Sequence, residues 1–117
     1  MNWINTTTAK ALGTGSITEA GSIVDAELGG LSLAYKRTVA SRYRTVIAEE
    51  INQEIPAGEL LVSPKVDGQL WLLAIEGAEV LLISPGGRAI YGDLPVLKEA
   101  QALGSRVTGR TVFAGEL

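Results

Sequence analysis

The chain has 117 residues, a formal net charge of −3 at pH 7 and 46% hydrophobic residues, which predicts a single domain or a piece of a larger one. It contains no cysteine and no histidine, which excludes disulfides, zinc–thiolate sites, thiol nucleophiles and a Ser-His-Asp triad. No apolar run reaches the roughly 18 residues of a membrane span, and the N-terminus does not look like a signal peptide. We therefore expect a cytoplasmic protein that makes no membrane contact.

Residues 1–58 form an N-terminal segment with one clearly predicted element. The first 35 residues are rich in Thr, Ser, Gly and Ala, and their weak periodicity fits short strands and a short helix equally well. A helix is predicted over residues 37–54, because apolar side chains recur at steps of three and four and Pro56 follows as a stop. Its apolar positions are Val39, Tyr43, Val46, Ile47 and Ile51.

A run of positive charge accompanies the start of this helix. Lys36, Arg37, Arg42 and Arg44 place four cations within nine residues, with no acidic residue among them. Local charge decides contact with a polyanion, because salt screens distant charges within roughly 10 Å. The run predicts a nucleic-acid contact, and a solvated helix face explains it equally well.

Residues 59–117 have the pattern of an antiparallel sheet. The apolar runs LLVS, QLWLLAI and EVLLIS are separated by turn residues. Glu76-Gly77-Ala78 predicts a tight turn that pairs the last two runs as a hairpin, and the turn over residues 84–87 leads into a strand over residues 88–91. Alternation predicts burial of Leu61, Leu72, Ala74, Leu81 and Ile83, with runs apolar enough to be covered on both faces.

A second helix and a last strand complete the predicted elements. The helix lies in DLPVLKEAQALG, with Asp93 as N-cap, Pro95 in the first turn and Gly104 at the end. The strand lies in RTVFAGEL. The predicted fold class is α+β, with an antiparallel sheet around the Lys65 loop and two flanking helices.

The chemistry concentrates in SPKVDGQLW, residues 63–71, where Lys65 and Asp67 stand between two apolar runs. Gly68 has no side chain, so a ligand can approach the backbone there. A lysine is a nucleophile only when neutral, and its ordinary pKa of about 10.4 keeps it charged. Apolar walls and nearby cations lower the pKa, and phosphoryl chemistry often supplies a metal cation. Taken alone, the motif also fits a tight turn with a surface lysine.

Lys65-x-Asp67-Gly68 after a strand resembles the nucleophile motif of the covalent nucleotidyltransferases, which include ATP-dependent DNA ligases, RNA ligases and mRNA capping enzymes. SPGGR, which ends at Arg88, stands where that family has a Ser-Arg-x-Gly-like turn. The terminal AGEL is similar to the Asp-Gly-Glu-Leu strand of the family's third motif. Its Glu116 lies 51 residues after Lys65 (116 − 65), a separation similar to the family's.

The resemblance implies a partial ATP-grasp-like nucleotidyltransferase (adenylation) domain over residues 59–117. Lys65 would attack the α-phosphate of ATP and form a lysyl-AMP intermediate. Asp67 would position the amine or a hydrated metal, and Glu116 would hold the ribose hydroxyls or a hydrated Mg²⁺. Gly68 and Arg88 would complete the nucleotide-binding set. Lys65, Asp67 and Glu116 should then face one cleft.

The function implied by the resemblance is ATP-dependent DNA ligation by a monomer that seals nicked DNA, as in DNA repair. An RNA ligase or a capping-type enzyme is the alternative. Ser63, Leu70 and Pro85 depart from the family's motifs, which is typical of a divergent ligase. The family's later strands, with further lysines and a second acidic metal ligand, do not follow Leu117. We therefore expect an N-terminal part of a longer enzyme, truncated after the third motif and inactive alone.

A non-enzymatic β-rich interaction module is the second alternative. Lys65 and Asp67 would then form an exposed ion pair, which contributes under about 1 kcal/mol to stability. Covalent labelling by ATP and Mg²⁺ separates this hypothesis from the enzymatic one.

Overall fold

The computed structural model describes residues 2–117 as a mixed α+β fold with a six-stranded antiparallel sheet and three helices. The strands are β1 (Lys10–Leu12), β2 (Gly15–Ile17), β3 (Leu70–Glu76), β4 (Glu79–Ile83), β5 (Ala89–Gly92) and β6 (Thr111–Glu116). The helices are α1 (Ala26–Thr38), α2 (Ile51–Glu54) and α3 (Pro95–Leu103). The strand order is β1-β2-β5-β4-β3-β6, so β6 and β1 form the two edges. The predicted fold class is confirmed at this level.

The β3–β4 hairpin is the centre of the sheet, as its apolar pattern predicts. Glu76 pairs with Glu79 across the turn, where Gly77 takes a φ of 60° that an L side chain rarely adopts. Side chains of both strands are buried on both faces of the sheet. The predicted burial of Leu72, Ala74, Leu81 and Ile83 is confirmed.

Two hydrophobic clusters cover the two faces of the sheet. Because neighbouring strand residues point to opposite faces, β3 contributes Leu72 and Ala74 to one cluster and Trp71 and Ile75 to the other. The first cluster also contains Trp3, Leu28, Leu81, Ile83 and Ala89. The second also contains Val80, Leu82, Ile90, Leu97 and Ala100. Helix α1 therefore packs on one face and helix α3 on the other.

Helix α1 starts and ends earlier than the predicted helix over residues 37–54. Its N-cap is Asp25, whose Oδ1 accepts a hydrogen bond from the Leu28 backbone N–H at 3.0 Å. The prediction of one helix over residues 37–54 is wrong. Two 3₁₀ turns, Ala40–Arg42 and Ala48–Glu50, and the short helix α2 occupy that stretch.

The apolar stripe of the predicted helix has no surface to cover. Tyr43, Ile47 and Ile51 are exposed. Most helical stability in proteins comes from packing of the apolar face, so periodicity without a packing surface does not hold a long helix together. The residues of this stretch adopt short local turns instead.

The predicted strand at residues 60–63 is also wrong, and so is the predicted burial of Leu61. This segment forms neither helix nor strand, Leu61 is fully exposed, and Val62 is 90% exposed. A strand is stabilised by hydrogen bonds and side-chain pairs with a neighbouring strand. Within residues 2–117 no strand pairs with this segment.

Helix α3 lies where it is predicted, with a different start. Leu94 occupies the N-cap position and makes no side-chain cap hydrogen bond, so the assignment of Asp93 as N-cap is wrong. Asp93 instead forms an ion pair with Lys98 at 2.6 Å. The predicted end at Gly104 is confirmed, and a Cβ there would overlap the Gly77 carbonyl oxygen. Gly104 thus allows α3 to approach the β3–β4 turn closely.

Arg110 connects the N-terminal segment to the sheet. Its guanidinium lies 2.9 Å from Asp25, 2.8 Å from Glu27 and 3.3 Å from Glu76, and its Cζ lies 5.1 Å from the centre of the Trp3 ring. These contacts join the start of α1, the end of β3 and the residue before β6.

The described residues, 2–117, include no helix of the length and apolarity that a membrane span requires.

Candidate functional site

The Lys65 loop is fastened to the end of β6. Gln69 and Leu117 exchange two backbone hydrogen bonds, each with an N···O distance of 3.0 Å. A Cβ on Gly68 would lie 2.5 Å from the Leu117 carbonyl oxygen, so only glycine fits without a backbone shift. This approach brings the Lys-x-Asp-Gly motif next to Glu116. The open side of Gly68 is therefore filled by Leu117, where the sequence predicts an approach by a ligand.

A cavity of about 490 Å³ lies beside this contact. The volume falls within the roughly 300–1,000 Å³ range of small-molecule sites. Its walls come from the end of α1 and the residues after it, from the Lys65 loop, and from the paired ends of β3 and β6. The lining residues are Tyr35, Lys36, Ala40, Ser41, Tyr43, Lys65, Leu70, Ala114, Gly115 and Glu116.

The register of β3 and β6 places Glu116 in this cavity. Glu116 is paired with Leu70, and Ala114 with Leu72. Leu72 belongs to the cluster on the α1 face, so Leu70, Ala114 and Glu116 share that face by the alternation of strand side chains. Lys65 and Glu116 thus line one cavity, whereas Asp67, which the sequence predicts in the same cleft, is not among its lining residues.

Lys65 is exposed and carries its charge in this arrangement. Its Nζ donates a hydrogen bond to Asp67 Oδ1 at 3.1 Å. That hydrogen bond, the Asp67 charge and the Glu116 charge raise the pKa of Lys65 above its ordinary value. The amine is therefore mostly protonated at neutral pH, and its neutral, nucleophilic fraction grows when its interactions with the two carboxylates weaken.

Arg88 does not join these residues. Its guanidinium carbon lies 5.9 Å from the centre of the Trp71 ring. Trp71 belongs to the cluster on the α3 face, opposite the face that carries Glu116. The turn before Arg88 forms as predicted, since the Ser84 N–H donates to the Arg88 carbonyl oxygen at 2.9 Å. The prediction that Arg88 contacts the same nucleotide as Lys65 does not fit this placement.

The four basic residues of the Lys36–Arg44 run are all exposed, and they have different surroundings. Lys36 lies in the last turn of α1 and lines the cavity. Arg37 follows it outside the cavity lining, and Arg42 ends a 3₁₀ turn. Arg44 forms an ion pair with Glu54. The run is therefore not one helix face, and only its first member belongs to the site.

Two tyrosines that the sequence analysis did not predict as site residues line the cavity. The hydroxyl oxygens of Tyr35 and Tyr43 lie 3.3 Å apart, and this contact raises the pKa of Tyr35. Tyr35 is half-buried against the cluster on the α1 face, whereas Tyr43 is exposed. The sequence signal for them is the neighbouring tyrosine and basic residues in YKR and RYR. Proteins that bind a phosphate together with an aromatic base often combine these residue types.

Two carboxylates near this cavity are candidate ligands for a metal ion. No cluster of three or more potential metal-ligating side chains occurs among residues 2–117. Mg²⁺ is commonly held by one or two carboxylates together with waters and substrate phosphates. Glu116 and Asp67 are carboxylates of that kind beside the cavity, so the donor set fits a nucleotide-bound Mg²⁺.

A second cavity, of about 600 Å³, lies at the far end of the sheet beside the β3–β4 turn. Its lining includes Val80, Tyr91 and Leu97, and its Asp93 and Lys98 are paired with each other. Lys65 and Glu116 belong to the smaller cavity, so we place the candidate site there.

Comparison of the chain with protein-family models, curated proteins and solved structures found no match.

Proposed function

We propose that this chain carries the nucleotide-binding part of a covalent nucleotidyltransferase, and that the enzyme is an ATP-dependent DNA ligase. The observation that supports the proposal most is the shared cavity of Lys65 and Glu116. These residues come from two motifs 51 positions apart (116 − 65). The close approach of Gly68 to the Leu117 carbonyl holds the Lys65 loop beside the end of β6, which carries Glu116.

The proposed reaction is attack by neutral Lys65 Nζ on the α-phosphorus of ATP. A P–N bond forms, the bond between the α-phosphorus and the bridging oxygen breaks, and pyrophosphate leaves with the electron pair. The amine loses a proton, for which Asp67 is the nearest acceptor, at 3.1 Å. Phosphoryl transfer depends mainly on positioning and charge stabilisation, so residues that hold the nucleotide matter as much as the nucleophile.

Mg²⁺ bound to the phosphates would supply charge neutralisation on the leaving pyrophosphate. Glu116 would orient the ribose or that hydrated ion. In a ligase the AMP passes from Lys65 to the 5′-phosphate of a nick, and a 3′-hydroxyl then displaces AMP. The exposed cations Arg37 and Arg42 are available for the phosphate backbone of nicked DNA. The use of ATP fits the cytoplasmic location expected from the sequence.

A β-rich interaction module is the second candidate, and one observation favours it. Leu60, Leu61 and Val62 are three consecutive exposed apolar residues, and contiguous apolar exposure is a common feature of protein-contact surfaces. On this hypothesis the Lys65–Asp67 pair contributes only charge at the surface. The two candidates differ in whether Lys65 reacts selectively with a nucleotide.

The test uses adenosine 5′-phosphorimidazolide, an AMP whose leaving group is imidazole. This probe needs no oriented pyrophosphate, so the 117-residue chain suffices. We expect mass spectrometry of peptides to show an AMP adduct at Lys65 in preference to Lys10 and Lys98, and we expect excess ATP to suppress it. With ATP and Mg²⁺ in place of the probe, we expect the rate of labelling at Lys65 to be roughly 10³-fold lower than with the probe.

Lys65→Arg is the control for the nucleophile, because the guanidinium group keeps the positive charge and is not a nucleophile at neutral pH. The adduct should disappear in this variant. Equal labelling of all lysines, insensitive to ATP, would refute nucleotide binding and leave the interaction module as the better hypothesis. An adduct that survives in the Lys65→Arg protein would show that another lysine reacts.

A further inference from the structure

The cavity has a second wall whose residues have no role in the reaction described above. This wall consists of the last turn of α1 and the chain immediately after it, and it contributes Tyr35, Lys36, Ala40, Ser41 and Tyr43. The first wall contributes Lys65 and Glu116. A ligand that fills this cavity and contacts Lys65 can therefore contact the end of α1 as well.

Lys36 is the uncompensated cation of the cavity. The charge of Lys65 is balanced by Asp67 at 3.1 Å and by the nearby charge of Glu116. Lys36 makes no salt bridge within the described part of the chain, residues 2–117. A cation in the last turn of a helix is favoured by the helix dipole, which explains Lys36 and Arg37 alike. The cavity lining distinguishes the two residues, because it includes Lys36 alone.

The two tyrosines form a connected aromatic wall beside this cation. Tyr35 is fixed by its packing against the cluster on the α1 face. Tyr43 is 71% exposed and is held to Tyr35 by the contact of 3.3 Å between their hydroxyl oxygens. An aromatic base can pack on such rings through its face, with little dependence on its sequence identity. An exposed tyrosine next to an unpaired lysine thus offers a base contact and a phosphate contact together.

We infer that Lys36 binds a phosphate of the nucleotide and that the Tyr35–Tyr43 pair packs against its base, an inference that rests on the nucleotidyltransferase site proposed above. Lys36 therefore acts in the nucleotide site, whereas the sequence places it with the nucleic-acid contacts. Lys36 and the two tyrosines are positioning residues, since the bond-forming atom belongs to Lys65.

The test compares two probes that differ only in the base. Adenosine 5′-phosphorimidazolide carries the base, and ribose 5-phosphorimidazolide lacks it. The rate of adduct formation at Lys65 is measured by mass spectrometry for both. In Tyr43→Ala we expect about a tenfold loss of rate with the adenosine probe and no loss with the ribose probe. Tyr43→Phe, which keeps the ring, should restore most of the rate.

Lys36→Gln should slow labelling by about five- to tenfold with both probes, because both present the same phosphate. The matched control is Arg106→Gln. Arg106 is also an exposed cation at the end of a helical turn, and it is not among the lining residues of the cavity, so its loss reproduces the change in net charge alone. We expect wild-type rates in that variant.

Unchanged rates in Tyr43→Ala and Lys36→Gln, with ATP still suppressing the wild-type adduct, would overturn the inference and leave the proposed function standing. Equal losses with both probes in Tyr43→Ala would overturn the base contact. Absence of a selective, ATP-sensitive adduct in the wild-type protein would refute the proposed function, and the inference with it. Thermal unfolding by circular dichroism establishes that each variant is folded.

Discussion

The β3–β4 hairpin and the segment Leu60–Val66 both contain runs of apolar residues, yet the protein buries only the hairpin. Leu72 and Leu81 are 1% and 0% exposed, whereas Leu61 is fully exposed. The hairpin strands pair with each other through a two-residue turn, and β6 and β5 pair on either side. The Leu60–Val66 segment has no such neighbour within residues 2–117, and the chain returns to the sheet only after it, where Gln69 and Leu117 exchange two backbone hydrogen bonds.

The difference shows that, in these two regions, apolar residues are buried only where the segment that carries them pairs with a neighbouring strand. Each strand of the hairpin has a neighbour on both sides and a helix over each face. An apolar segment without a hydrogen-bonded neighbour gains little from ordering, because backbone ordering costs about 1–2 kcal/mol per residue. Substitution experiments can therefore separate the two regions by their effect on stability.

The largest expected effect is the contrast between Leu72→Ala and Leu61→Ala. Leu72 is fully buried in the cluster on the α1 face, so its truncation leaves a cavity and should lower the free energy of unfolding by about 2–5 kcal/mol. Leu61 is the matched control, because the same atoms are removed from an exposed side chain, and the change should stay within about 0.5 kcal/mol. Urea unfolding measures both. Equal losses would mean that Leu61 is buried in solution.

A smaller effect is expected where the two regions meet, in Gly68→Ala. A Cβ there would lie 2.5 Å from the Leu117 carbonyl oxygen, so the loop or the end of β6 must shift, at a cost of about 1–3 kcal/mol. Labelling at Lys65 should fall as well, since Glu116 moves away from the loop. Gly115→Ala is the control for stability, because no atom lies within 4 Å of a Cβ built there. A Gly68→Ala protein as stable as Gly115→Ala would contradict the close approach.

The smallest expected effect concerns the charge of Lys65 and leaves the fold intact. Asp67 raises the pKa of Lys65 through its hydrogen bond and its charge, so Asp67→Asn should lower that pKa. At a fixed pH below the pKa, more of the amine is then neutral, and a small acylating reagent without a nucleotide should label Lys65 faster. The pH at half-maximal labelling of Lys65 should move down. A shift upward, or none, would show that the Lys65–Asp67 pair does not persist in solution.

The regions that could be predicted from the sequence are those whose partners are close in the chain. The β3–β4 hairpin, the turn before Arg88 and the end of α3 at Gly104 follow from alternation and turn residues. The segment Leu60–Ser63 could not be predicted correctly, because its local pattern is that of a strand and only the three-dimensional structure shows that no strand pairs with it.

The candidate site divides in the same way. Lys65 and Glu116 were predicted from their motifs, and both line the same cavity. Arg88 was assigned to the same site because of its motif, but it lies on the opposite face, over Trp71. Tyr35 and Lys36 were not assigned to the cavity, since the proximity of the α1 end to β6 is a tertiary contact. Such a contact leaves little trace in a local pattern.

The strand order also has a consequence for the time course of folding. The central hairpin closes between Glu76 and Glu79, whereas the pairing of β2 with β5 joins Ile17 to Ile90, which are 73 positions apart (90 − 17). Hairpins form in about 1–10 μs, and contacts distant in sequence slow folding because their loops must close first. The order β1-β2-β5-β4-β3-β6 therefore predicts a nucleus at β3–β4 that grows outward. On this route β1 and β2 join the sheet late, after β5 has formed the edge that receives them.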